Sequence, residues 1–121
     1  MQIESVSPIF SVDDLAASLD FYLQKLGFDL AWSWGDPPHI ASVCRNGVEI
    51  MLSQRSDTGT PGVAQVYLGV SGINAWHDAL KSAGVDVRVP IGDRPYGMRD
   101  FRIADPSGNE ISFGQPIAGV P

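Results

Sequence analysis

Apolar residues follow two rhythms along this chain, and the rhythms come in the same order twice. Val6, Phe10 and Val12 share one parity, so Val6 to Val12 reads as a strand. Leu15, Leu19, Tyr22, Leu23 and Leu26 then recur at helical spacing and form one apolar face. Asp13 or Asp14 can cap that helix, because a carboxylate accepts from the free amides of the first turn. Gly27 suits the left-handed stop after it. Phe28 to Trp34 is rich in strand formers, Asp36-Pro-Pro38 is a turn, and Ile40 to Cys44 is a short strand. Asn46-Gly47 between two β-like runs is a strong hairpin signal, completed by Val48 to Ser53. The first half is therefore β-α-β-β-β.

Residues 54–62 are polar and rich in breakers, so they read as a linker. The order then repeats. Val63 to Val70 is a strand, Ile73 to Ser82 a helix stopped by Gly84, and Val85 to Val89 a strand ended by Pro90. A loop with Gly92, Pro95 and Gly97 leads into the strand Met98 to Ala104. Asp105-Pro-Ser-Gly108 is a turn, and Asn109 to Gly114 is the last strand. The remaining tail looks irregular. The expected organisation is a single domain over residues 1–121, with one module at about 3–53, the linker, a second module at about 63–115 and a tail at 116–121.

The two halves also match residue by residue. Val12 maps to Val70 at an offset of 58, Gly27 to Gly84 at 57, and Gly47 to Gly108 at 61, so small insertions separate the copies. Strand parity divides each half into two faces. One is almost wholly apolar: Val6, Phe10 and Val12; Val48, Ile50 and Leu52; Val66, Leu68 and Val70; Ile111 and Phe113. These side chains are expected to pack under the helices. The other face is mixed: Ser7 and Ile9; Glu49, Met51 and Ser53; Gln65 and Tyr67; Glu110 and Ser112. A face of carboxylates, hydroxyls, an amide and an aromatic is either solvated or the wall of a cavity. Two curved sheets with these faces opposed would form a cleft.

Composition narrows the function classes. The net charge of −6 disfavours nucleic-acid binding, which needs a basic surface, and is compatible either with solubility alone or with a cationic ligand. No apolar run approaches the roughly 20 residues that cross a bilayer. Met1-Gln-Ile-Glu4 lacks the features of a signal peptide, and Cys44 is the only cysteine, so a cytoplasmic location is expected.

Several of these residues look familiar together. The doubled βαβββ pattern, Val-Asp-Asp-Leu15 with Phe21-Tyr22 and Lys25-Leu26-Gly27-Phe28, and the close Asp105-Pro-Ser-Gly108-Asn109-Glu110-Ile111 resemble the vicinal oxygen chelate superfamily. That group includes glyoxalase I, extradiol dioxygenases, fosfomycin resistance enzymes and bleomycin resistance proteins. The resemblance spans roughly residues 3 to 115. It implies an α+β fold in which two βαβββ modules form an open, incomplete barrel around a cleft. It also implies four metal-ligand positions, which carried over fall on Ser7, Met51, Gln65 and Ser112. Ser7 is the repeat mate of Gln65, and Met51 of Ser112. None of these is a strong ligand for a divalent ion, which favours imidazole and carboxylate. No metal, no cofactor and no catalytic residue is therefore expected.

Arg94 to Arg102, running into Asp105-Pro106, is similar to the corresponding stretch of bleomycin resistance proteins. That likeness implies a metal-free protein that sequesters a cationic antibiotic as a homodimer with clefts shared between subunits. Two other readings stay open: a metal-dependent glyoxalase- or dioxygenase-type enzyme, and an accessory interaction domain with no small ligand.

The expected cleft residues are Glu49, Met51, Gln65, Tyr67, Glu110, Ser112, Ser7, Trp32, Trp34, His39, Tyr96, Arg99 and Arg102. Glu49 and Glu110 are repeat mates with cleft parity and would favour a cationic ligand, unless Asp100, Arg99 and Arg102 surround and neutralise them, with Arg102 paired to Asp100. Trp32 and Trp34 can stack on a planar ligand, but they share parity with Phe28 and Leu30, which points to burial unless the strand is bulged. Tyr67 has cleft parity. His39 lies in a turn, and Tyr96 and Arg99 lie in or beside a loop able to close over a ligand. Trp76 is expected in the core or an interface, His77 in solvent, and Cys44 buried.

Overall fold

The computed structural model describes residues 1–118. Its elements run β1 (Ile9–Ser11), α1 (Leu15–Asp20), β2 (Asp29–Gly35), β3 (Pro38–Arg45), β4 (Val48–Ser53), β5 (Gln65–Gly69), α2 (Ile73–Ser82), β6 (Asp86–Asp93), β7 (Met98–Ala104) and β8 (Glu110–Pro116). The first helix continues as a wider π turn over Phe21–Lys25. Each half builds a four-stranded sheet, in the order β1-β4-β3-β2 and β5-β8-β7-β6. β1 runs parallel to β4 and β5 parallel to β8, with the helix crossing between the first two strands of each half; the other neighbours are antiparallel. The architecture is the expected α+β pair of sheets, with no closed barrel among the described residues.

Local chemistry explains the elements. The Asp14 carboxylate accepts from the Ala17 amide at 3.1 Å and caps α1. Each helix start is also capped across the sheet, by Gln54 Oε1 on the Leu15 amide (2.7 Å) and Gln115 Oε1 on the Ile73 amide (3.0 Å). The repeat therefore extends to Gln54 in the linker and its mate Gln115 in β8. Asn46 and Gly47 both have positive φ, 50° and 80°, as a two-residue hairpin with this twist requires.

The apolar strand faces meet the helices as parity predicts. Phe10, Ala41, Val43, Ile50, Leu52, Phe101, Ile103, Ile111 and Phe113 are all buried, together with Leu15, Tyr22, Leu26, Ile73 and Leu80 from the helical segments. Four expectations need correction, the first being Val48, which opens β4 and is 42% exposed rather than packed under a helix. β1 is only three residues long, so Val6 lies ahead of it and is 86% exposed rather than packed under a helix. Pro90 does not end β6, because β6 is an outer strand whose ladder skips between Val89 and Gly92, where a missing amide costs little. β8 runs on to Pro116, so the tail is not wholly irregular; residues 119–121 lie outside the described residues.

The two halves are clamped together by the Asp105–Asn109 turn. Asp105 Oδ1 accepts from the amides of Ser107 and Asn109, and Oδ2 accepts from the Tyr22 hydroxyl at 2.9 Å and from Asn109 Nδ2. Asn109 Nδ2 also donates to the Ser11 carbonyl, while its Oδ1 accepts from the Ala64 amide. Asp105 and Asn109 are buried, and this full satisfaction is what makes a buried carboxylate tolerable. Burial and the neighbouring Asp105 raise the Tyr22 pKa well above its ordinary value, so this phenol stays a donor.

Candidate ligand-binding faces

The sheet faces turned away from the helices carry the polar and aromatic groups. Antiparallel partners share a face, so register assigns the side chains. In the first sheet one row is Ile9, Met51, Ser42 and Trp32, and the next is Ser53, Ile40 and Trp34. Both tryptophans reach this face because β2 is bulged. Leu30 pairs with Val43 but Trp32 pairs with Ser42, leaving Ala31 as an extra residue. Burial with Phe28 and Leu30 is thus overturned: Trp32 is 39% and Trp34 67% exposed, and the Trp34 ring meets the His39 ring edge-on at 5.1 Å. β6 slips at the repeat-equivalent place, where Arg88 is the extra residue.

In the second sheet one row is Tyr67, Ser112, Arg102 and Val89, and the next is Gly69, Gly114, Asp100 and Gly92. Glycines leave a trough around Asp100, and three side chains fill it. Arg94 Nε donates to Asp100 Oδ1 at 2.7 Å, while the hydroxyls of Tyr67 and Tyr96 donate to Oδ2 at 3.0 and 2.6 Å. A Cβ on Gly114 would fall 2.0 Å from the Tyr67 hydroxyl oxygen, so the glycine is what lets that ring lie flat. Asp100 is buried, which works to raise its pKa, but the bonds from Tyr96, Arg94 and Tyr67 outweigh burial and hold it below the ordinary value. Burial of the Tyr67 hydroxyl, its bond to Asp100 and that anion's charge push Tyr67 up to about 12. Because both phenols spend their protons on Asp100, each can only accept from a ligand.

The carboxylates differ in company. Arg102 bonds Ser112 Oγ and approaches Glu110 at 3.8 Å, so the expected pairing of Arg102 with Asp100 is replaced by Arg94 with Asp100. Glu49 receives only the Ser42 hydroxyl, and among the described residues no lysine or arginine lies within ion-pair reach of it. Arg99 leaves this face: its parity matches Phe101, and it bonds Asn74 and Asp93 beside α2. Ser7 sits ahead of β1, so Ile9 holds the strand position equivalent to Tyr67. Gln65 lies beside Glu110 at the exposed edge. His77 is not solvated but packs against Phe101 at 5.2 Å, and Cys44 is only partly buried. Trp76 stacks on Phe113 and under the Arg45 guanidinium.

A divalent metal does not fit here. Ile9, Met51, Tyr67 and Ser112 offer no imidazole or carboxylate at the strand centres, and Ser112 and Tyr67 are occupied by Arg102 and Asp100. The sheets do not oppose these faces within one chain either. No strand of one sheet makes more than marginal contact with a strand of the other among the described residues, and Ile9, Trp32, Trp34 and Tyr67 remain substantially exposed. A cavity of about 500 Å³ between the halves, lined by Phe28, Arg45, Val48, Leu68, Trp76 and Phe113, takes in Tyr67 alone of the expected residues.

The family model described as "Glyoxalase/Bleomycin resistance protein/Dioxygenase superfamily" matches residues 3–113. The chain belongs to this superfamily. A bleomycin resistance protein of Geobacillus stearothermophilus is 30% identical, over 91% of this chain and 95% of that one. Among solved structures, TnmS3, an antibiotic binding protein from Streptomyces sp. CB03234, superposes with a TM-score of 0.84 at 29% identity, over 97% of this chain and 99% of that one. The bleomycin-binding protein of Streptomyces verticillus complexed with copper(II)-bleomycin has a TM-score of 0.78 at 22% identity, over 93% and 96%, and shows the shared fold. Within this superfamily, sequence reasoning missed Ser42, Arg94 and Asp100 as organisers of the two faces. The Gly92, Gly114 and Gly69 positions were the available signal for the trough, but only register places them in one row.

Proposed function

We propose that this superfamily member is a non-catalytic protein that sequesters a small organic ligand, of the antibiotic type, on the open sheet faces. The observation that carries the reading is the content of those faces: exposed indoles, phenol acceptors and an arginine-free carboxylate, without a set of groups suited to a divalent metal. The bleomycin resistance relative and the antibiotic-binding structural neighbour support it. Glu49, Met51, Trp32 and Trp34 would form one wall, and Tyr67, Tyr96, Ser112, Arg102 and Glu110 the other. Acceptors and anionic charge suit a ligand bearing N–H groups or a cation.

The walls would close on each other in a homodimer. Each open face is half a cleft, β1 and β5 are unpaired sheet edges, and Ile3 and Val6 on the segment ahead of β1 are 94% and 86% exposed. A second copy would supply the opposite wall. No helix of the described residues is long and apolar enough to cross a membrane, and we place the protein in the cytoplasm.

Titration calorimetry with metal-free and copper(II)-loaded bleomycin, beside light scattering, tests the reading. Saturable binding at one ligand per cleft by a dimer is the expected result. Absence of saturable binding across bleomycin and a panel of other cationic and aromatic antibiotics would overturn the binding role, and a monomer at micromolar concentration would overturn the shared cleft.

A further inference from the structure

The repeat gives the halves two junctions, and hydrogen bonds close only the first among the described residues. There the Asp105–Asn109 turn meets the end of β1. Ser107 Oγ donates to the Asp13 carboxylate and accepts from the Asp13 amide, and Asn109 Nδ2 donates to the Ser11 carbonyl. The repeat mates of these residues meet at the second junction: Asn46 stands for Ser107, Val48 for Asn109, Ser71 for Asp13 and Gly69 for Ser11. Val48 and Gly69 have no polar side chain to bridge with, and the hydrogen bonds that cross between the halves lie at the first junction. All four mates line the cavity of about 500 Å³. The second junction is therefore open where the first is filled, and its volume falls within the roughly 300–1,000 Å³ of pockets that hold small organic molecules.

Arg45 gives this cavity its charge. The other five arginines each pair with an aspartate or a glutamate, whereas Arg45 has no carboxylate within ion-pair reach among the described residues. Its guanidinium lies over the Trp76 ring, 4.4 Å from the centre, and Nη1 donates to the Leu26 carbonyl at 2.8 Å. Those two contacts hold the group in place and use few of its five N–H donors. No aspartate or glutamate is among the described residues lining the cavity, although the chain as a whole carries a net charge of −6. Phe28, Val48, Leu68, Trp76 and Phe113 make the other walls apolar. An apolar body gains by leaving water for such walls, and a guanidinium fork matches a carboxylate. A dianion would leave one charge unpaired among apolar groups, so a single negative charge fits best.

We propose that the second junction binds a small apolar monocarboxylate, with its anion on Arg45 and its body between β5, Trp76 and the β3–β4 hairpin. An occupant would bridge the halves there as the Asp105–Asn109 turn bridges them at the first junction. The site shares only Tyr67 with the open faces assigned above and stands or falls independently of them.

The test is titration calorimetry of the full chain with 4-phenylbutyrate, 4-phenylbutyramide and 4-phenylbutylamine, which share one body and carry a negative, a neutral and a positive head. 4-Phenylbutyrate is expected to bind saturably, the amide at least about tenfold more weakly and the amine not at all. Arg45→Gln weakens the acid by about tenfold and leaves the amide unchanged, Arg45→Lys recovers part of the loss, and Val48→Trp fills the cavity and removes binding of both. Arg55→Gln, at an exposed pair in the linker, changes the acid by less than about twofold. Circular dichroism checks that each variant folds, and the head-group series on the unaltered chain reads the charge preference without any substitution. The site is wrong if the acid does not bind, if amide or amine matches it, or if folded Arg45→Gln or Val48→Trp binds it as well as the native chain. It is also wrong if affinity for the acid falls as protein concentration is raised through dimer formation, since a second copy would then cover the cavity.

Discussion

Asp100→Asn isolates the electrostatic centre of the second face. The native carboxylate is 6% exposed and accepts from Arg94, Tyr67 and Tyr96. Asparagine keeps the shape and one acceptor, removes the negative charge, and turns the other oxygen into a donor facing two phenols. With one charge-assisted bond weakened and the phenols forced to reorient, the expected loss is about 1–2 kcal/mol near neutral pH. The pH dependence is more diagnostic than the loss itself. Asp100 has a lowered folded pKa, so its contribution is present above the ordinary carboxyl value of 3.8 and is lost as pH falls through the folded value. Tyr67 has a raised folded pKa, so its contribution is complete below pH 10 and is lost as pH rises towards about 12. In Asp100→Asn both windows should flatten, and Tyr67 should titrate below its native value yet above 10, because burial of its hydroxyl remains. Near-ultraviolet phenolate titration, with Tyr67→Phe to assign the transition, and denaturant midpoints between acid and alkaline pH measure both effects. An unchanged Tyr67 titration in Asp100→Asn would refute the role given to this carboxylate.

Three further predictions follow from packing and hydrogen bonds. Gly114→Ala places a methyl 2.0 Å from the Tyr67 hydroxyl oxygen, so the ring should swing off Asp100 and titrate closer to 10 while the fold persists, which phenolate titration and circular dichroism check together. Tyr22→Phe removes one of four donors to Asp105 and should cost about 1 kcal/mol in urea unfolding. Asn109→Ala removes a donor to the Ser11 carbonyl across the junction and the acceptor for the Ala64 amide within the second half, and should cost more, about 2–4 kcal/mol; a loss no greater than that of Tyr22→Phe would mean that the turn does not clamp the halves.

Residues that follow local rules were readable from the chain. The Asp14 cap, the Asn46-Gly47 hairpin and the alternation of Glu49 to Leu52 depend on neighbours a few positions away, and the structure places them as expected. Pro90 misled because a proline ends a strand only where its missing amide faces a neighbour, and β6 has none on that side. Ser7 and Val6 misled because alternation shows what a strand would look like without showing where pairing begins.

What the sequence determined by itself is the doubled βαβββ order, the helix-facing core and the weakness of the metal-ligand positions, since periodicity, burial preference and donor chemistry belong to the residues. What only the tertiary structure decided is which side the key residues occupy and whom they meet. One extra residue in β2, Ala31, reverses every later side chain and turns Trp32 and Trp34 out of the core, because strand parity has a period of two. Likewise, Arg94 rather than Arg102 reaches Asp100, and Arg102 turns to Glu110, because ion pairs are chosen by register across strands and not by distance along the chain.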